Sequence, residues 1–140
     1  RSDYDSYVNG TEVFNFTIFE VPQLVKEFIK ENEIRLDDYD CFALHQANVF
    51  ILKQFAKRLK IPWEKTAISM DRYGNTSVSS IPLTLSDRYG DINENIIKVF
   101  MCGFGIGLSW GIVDADICTD VIYPILYTDD YYKDGGVSRG

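Results

Sequence analysis

The chain has 140 residues, 46% hydrophobic and 14% aromatic, enough core-forming side chains for one compact domain and too many for a disordered chain. A formal charge of −7 argues against general nucleic-acid binding, because neutralising phosphates takes a surplus of Lys and Arg on one face. An acidic partner therefore needs a local basic patch.

In chain order, "VPQLVKEFIKENEI" spaces Val21, Leu24, Val25, Phe28 and Ile29 as one stripe of an amphipathic helix, with Pro22 in its first turn. "DCFALHQ" is a short apolar run that reads as a buried strand, and "NVFILKQFAKRLKI" returns to helical spacing through Ile51, Leu52, Phe55, Ala56 and Leu59. His45, the single histidine, thus falls at a strand-to-helix junction. "TAISMD" reads as a second short strand, "RYGNTSVSS" as a polar loop, and "SIPLTLSDRYGD" as a third helix with proline near its start and glycine near its end. Asn75 is expected at an equivalent junction. "IIKVFMC" and "LSWGIVDADI" read as adjacent strands joined by a glycine turn at 103–107. The order α-β-α-β-α-β-β predicts a layered α/β domain with a mixed sheet packed by helices.

Cys41, Cys102 and Cys118 lie far apart with no CxxC pair, which disfavours a disulfide framework and a zinc site and predicts reduced thiols. No run of about 18 apolar residues suggests a membrane span, and "RSDYDSYVNG" has no leader pattern, so a cytoplasmic location is expected. Beyond residue 115, Val121, Ile122, Tyr123, Ile125, Leu126 and Tyr127 surround Pro124 in what reads as an edge strand or packing arm. Asp129, Asp130 and Asp134 lack the spacing and central glycine of a calcium loop, so no metal is assigned.

In open α/β sheets, reactive groups gather where strands end and helices begin. A histidine and an asparagine on neighbouring strand ends both present N–H donors, the arrangement needed where negative charge develops on a carbonyl oxygen. Spacing alone leaves this open, since a lone histidine is more often structural.

Four motifs in order narrow the choice: "VNGTEVFNFTIFEVP", "HQAN", the asparagine of "DRYGNTSVSSIPL" thirty residues after the histidine, and "GFGIGLSWG". Across residues 7–115 they resemble the C-terminal half of the 3-oxoacyl-acyl-carrier-protein synthase III family, acyltransferases of thiolase-like fold that start fatty-acid chains. The resemblance implies acyl-CoA and malonyl-carrier protein as substrates, with no bound cofactor. His45 and Asn75 would donate to the malonyl thioester oxygen and stabilise the enolate left by decarboxylation. Substrate and coenzyme A contacts would fall on Gly10, Phe14, Ala47, Asn48, Phe104, Gly105 and Ile106. Lys53, Lys57 and Arg58, with Lys60, would form a basic stripe for the acyl carrier protein; a solvated helix face is the competing reading.

Departures from the family pattern accompany the match. Phe50 stands where the family commonly has arginine and Asn15 where it often has lysine, which thins the basic surface. Ile106 replaces a usual glycine, and a side chain there would restrict a backbone needing positive φ or crowd the acyl pocket. None of the three cysteines stands in the family's nucleophile motif, which belongs to its N-terminal half. The chain is therefore expected to be one domain over 1–140, with 116–140 an extension, inactive without that half, and a homodimer through the apolar surface the half would cover. Polyketide or polysaccharide-related acyl transfer, and a non-catalytic dimerisation module, are the alternatives.

Overall fold

The structure, a computed structural model, describes residues 7–129. Asp130 and Asp134 lie outside them. Helix formation begins well before the apolar stripe. Asn9 caps α1 (Gly10–Asn15), its side chain accepting from the Glu12 N–H at 3.3 Å. A π turn, Phe16–Glu20, joins α1 to α2 (Val21–Glu31). Pro22 stands in the first turn of α2, as expected, although the helical rod itself begins earlier, at α1. Having no N–H, the proline cannot bond the carbonyl four residues back, and the wider turn, in which the Val21 N–H reaches the Phe16 carbonyl, absorbs that break.

β1 (Cys41–Leu44) is followed by α3 (Val49–Leu59), α4 (Met70–Tyr73) and α5 (Ser80–Tyr89), then β2 (Ile96–Gly105) and β3 (Ser109–Cys118). The sheet runs β1-β2-β3, with β1 parallel to β2 and β3 antiparallel to it. Side-chain alternation divides the core into two layers. Phe42, Leu44, Phe100, Cys102 and Phe104 pack with Val21, Val25, Leu52 and Phe55 of the α2 and α3 side. On the opposite face Cys41, Ala43, Ile97 and Val99 meet Leu85 and Tyr89 of α5. The mixed α/β class follows directly, with helices on both faces of a short sheet.

Two sequence expectations change. "TAISMD" forms no strand; its pairing is one parallel bridge between Thr66 and Phe42. The reason is Gln46, fully buried, whose side-chain amide donates to the Ala67 carbonyl at 3.2 Å and accepts from the Ser69 N–H at 3.1 Å. A side chain thereby satisfies the backbone groups that a neighbouring strand would otherwise take. The glycine turn is also shorter than 103–107, because pairing continues through Gly103↔Gly111 to Gly105↔Ser109.

Candidate active site

The ladder between β1 and β2 extends one residue past β1, where the His45 N–H donates to the Cys102 carbonyl at 2.9 Å. Three residues later Asn48 caps α3, its side chain accepting from the Ile51 N–H at 2.8 Å. His45 thus stands at the predicted junction. Its ring meets Phe104 edge-on at 5.5 Å, and Phe104 stacks on Phe55 at 5.4 Å, so a core aromatic pair fixes one side of the imidazole. Nδ1 lies 2.8 Å from the hydroxyl of buried Ser80, at the start of α5. Burial holds the ring's pKa below the usual 6.5, partly offset by a backbone hydrogen bond with Ser77.

Asn75 does not follow a strand. It sits between α4 and a single 3-10 turn, Ser77–Ser79, after Gly74, whose φ of 68° suits a residue without Cβ. Its Oδ1 accepts from the Ser77 N–H at 2.9 Å. That bond orients the carboxamide and leaves its Nδ2 hydrogens without a partner among the described residues.

His45 and Asn75 line one cleft of about 780 Å³, together with the predicted Ala47, Phe104, Gly105 and Ile106. The expected restriction at Ile106 does not arise. The positive φ of the turn falls on Gly107, at 146°, where a Cβ would meet Ser109 Oγ at 2.3 Å, and Ile106 is an exposed rim residue. Gly10, Phe14 and Asn48 are not among the lining residues. Because the helix starts at Gly10, positions 10 and 14 share a face turned away from the cleft, and Phe14 stacks on Phe50 at 6.3 Å. Val13 and Thr17, one turn apart on the neighbouring face, line the cleft in their place. Asn48 serves as a helix cap. Sequence reasoning also passed over Ser80 and Gln46, though both lie inside the quoted motifs.

Lys53, Lys57 and Arg58 are exposed on α3, and none forms an ion pair with a described residue. The Lys53 ammonium lies 5.8 Å from the Trp63 ring centre, and the Arg58 guanidinium 4.7 Å from that of Phe19. Cys41 and Cys102 are buried, with thiol pKa values raised by burial, that of Cys102 to about 12. Among the described residues no group of His, Cys, Asp and Glu could hold a metal, and no helix is long and apolar enough to cross a membrane.

A mixed α/β domain of this kind, with helices on both faces of a short sheet, is the architecture of the carboxyl-terminal part of thiolase-like proteins, and comparison with known proteins agrees. Residues 29–115 match the family described as 3-oxoacyl-[acyl-carrier-protein (ACP)] synthase III C terminal, and the chain belongs to that family. It is 44% identical over 118 residues to the beta-ketoacyl-[acyl-carrier-protein] synthase III of Porphyra umbilicalis, covering 81% of this chain and 35% of that protein. The crystal structure of a 3-oxoacyl-(acyl-carrier protein) synthase from Burkholderia xenovorans superposes with a TM-score of 0.78 at 36% identity, over 85% of this chain and 35% of that one. The priming beta-ketosynthase of a polyketide pathway superposes with a TM-score of 0.70 at 25% identity, over 80% of this chain and 34% of that one. The chain thus spans about a third of the length of the proteins it matches.

Proposed function

We propose that this chain supplies the histidine and asparagine of a decarboxylative condensing enzyme of the ketosynthase III type, acting at the start of fatty-acid chain synthesis. The observation that supports it is the convergence of His45 and Asn75 on one cleft, with the Asn75 carbonyl tied so that its amide hydrogens remain for a ligand. When malonyl thioester loses carbon dioxide, the electron pair of the broken C–C bond moves onto the thioester oxygen. A neutral imidazole N–H and a carboxamide N–H can both donate to that oxygen as its charge grows. The enolate carbon then attacks an acyl thioester, forming the new C–C bond and expelling the acyl-bearing thiolate. The thiolate is not Cys41 or Cys102, whose burial disfavours the reactive form, nor Cys118, which does not line the cleft, so in this reading the nucleophile comes from another segment of the working enzyme.

Acyl-CoA and malonyl-carrier protein are the substrates in this reading. The acyl carrier protein docks on Lys53, Lys57 and Arg58, a basic face on an acidic chain, with Phe50 contributing apolar contact where the family's arginine is missing. In the full polypeptide containing this chain, His45→Ala and Asn75→Ala should each lower condensation by about 10²–10³-fold, the loss of one oxyanion donor. Acyl transfer from CoA to the enzyme should persist. Condensation at the unaltered rate in both variants would sink the assignment, and a preference for polyketide starter thioesters across an acyl-CoA series would favour the alternative substrate class.

A further inference from the structure

His45 serves as a donor only when the proton of its neutral ring sits on the nitrogen left for the cleft, and an unconstrained imidazole divides that proton between Nδ1 and Nε2. Nδ1 is 2.8 Å from Ser80 Oγ. The same oxygen accepts the backbone N–H of Gln46 at 3.4 Å. A hydroxyl has one proton to give and two lone pairs to fill.

With the proton on Nδ1, Ser80 Oγ would receive two hydrogen bonds, and its own O–H would face no acceptor among the described residues, in a residue only 2% exposed. Buried donors are rarely left that way, and here Thr76 Oγ1 is the single buried side-chain polar atom lacking a partner among the described residues. With Nδ1 unprotonated, the Ser80 O–H donates to it and the oxygen still receives the Gln46 N–H, so the hydroxyl's donor and acceptor sites are both used, and the Nε2–H is left to donate to a ligand or to the Ser77 backbone that already meets the ring. From this balance we propose that Ser80 is the positioning residue that holds His45 as its Nε2–H tautomer, keeping the proton on the nitrogen that can reach a ligand.

The hydroxyl is itself held by a closed circuit. The Ser80 carbonyl accepts from Thr84 Oγ1 at 2.7 Å, and Thr84 Oγ1 lies 2.6 Å from Ser69 Oγ. The Ser69 N–H donates to Gln46 Oε1 at 3.1 Å, and Gln46 Nε2 donates to the Leu44 carbonyl at 2.8 Å. The circuit returns to the residue beside His45. A carboxylate in the position of Ser80 would also orient the ring, but its charge would favour imidazolium. A hydroxyl selects the tautomer and leaves the ring neutral, in the direction that burial already drives it. The catalytic consequence rests on the function proposed above; the tautomer is measured without turnover.

His45 is the only histidine, so a long-range ¹H–¹⁵N correlation spectrum of the labelled chain at neutral pH reports a single ring. Nε2 should show the shift of a protonated nitrogen and Nδ1 that of an unprotonated one. Ser80→Ala should move both shifts toward a mixture of tautomers, whereas Ser80→Thr, which retains the hydroxyl, should keep the original pattern. A wild-type ring protonated at Nδ1 overturns the proposal, as does a Ser80→Ala chain with native amide dispersion and unchanged ring shifts. Should Ser80→Ala fail to fold, the wild-type tautomer and the Thr variant still decide: a folded Ser80→Thr that loses the pattern counts against the hydroxyl. An Nε2–H ring in an enzyme whose condensation ignores His45 would refute the proposed function and leave this assignment standing.

Discussion

At the scale of single residues, burial acts on His45 and on the thiols in opposite directions, and both effects are measurable. For the imidazole, burial disfavours the cation, so its folded-state pKa lies below the ordinary 6.5. Above that value the ring is neutral in folded and unfolded chains alike, and stability is complete. As pH falls below it, the unfolded chain takes up a proton first, and stability is lost until the folded ring protonates too. Urea midpoints of the wild type should therefore drop between about pH 7.5 and about pH 5.5 relative to those of His45→Gln, which has no such group to titrate. Parallel curves for the two proteins would show that burial does not shift the ring. For the thiols, burial disfavours the thiolate, so of the three cysteines the exposed Cys118 should react with a thiol reagent in the native chain, and all three in denaturant. A second native thiol as fast as Cys118 would mean that Cys41 or Cys102 is open to solvent.

At the scale of elements, α5 and the segment after β3 are joined at a position where a side chain has no room. Gly90 has an ordinary helical φ of −61°, so its backbone needs no glycine. A Cβ there, however, would lie 2.4 Å from Pro124 Cα and 2.5 Å from the Ser86 carbonyl. Gly90→Ala should lift the Pro124 segment from α5 and cost about 1–3 kcal/mol, read as a lower denaturant midpoint. Gly10→Ala, at the first position of α1 with nothing within 4 Å, is the control and should gain about 0.4–1 kcal/mol. Equal midpoints for the two variants would mean that the segment does not press on Gly90. The arm around Pro124 was legible in the sequence, but its docking point was not, because nothing in "DRYGD" marks which glycine meets a distant chain. The same limit explains the other differences. α1 buries no residue, so it carries no apolar stripe to reveal a helix, while α2 and α3 were visible from theirs and α5 from the proline near its start and the glycine near its end. "TAISMD" has strand composition, yet its pairing is taken by Gln46, a polar residue whose full burial no local pattern signals. His45 and Asn75 could be found because motif and chain order bring them forward. Ser80 could not, since its bond to His45 spans 35 residues and a serine in a polar loop has no periodicity to betray it.

At the scale of the whole molecule, the two faces of the sheet are covered by helices over β1 and most of β2, but β3 is left largely bare. Val113 is 55% exposed, Leu108 46% and Trp110 36%, beside Ile106 on the turn that leads into the strand. The outer edge of β3 pairs with no other strand among the described residues. Val113 and Trp110 point to opposite faces of the sheet, so what β3 offers is its edge, and an exposed strand edge with unpaired backbone groups is a template for the same edge of a second copy. Burying about 1,000 Å² of such surface would be worth on the order of 25 kcal/mol before the opposing entropy of association and the desolvation of polar groups, which makes self-association of this chain the expected outcome. Light scattering after size exclusion should give the mass of two chains. Val113→Glu, which sets a carboxylate into the exposed stretch without touching the cleft residues, should shift the population to the mass of one, with the circular dichroism of the folded chain retained. A wild type that elutes as a clean monomer at high concentration, or a Val113→Glu chain as dimeric as its parent, would place any self-contact somewhere other than β3.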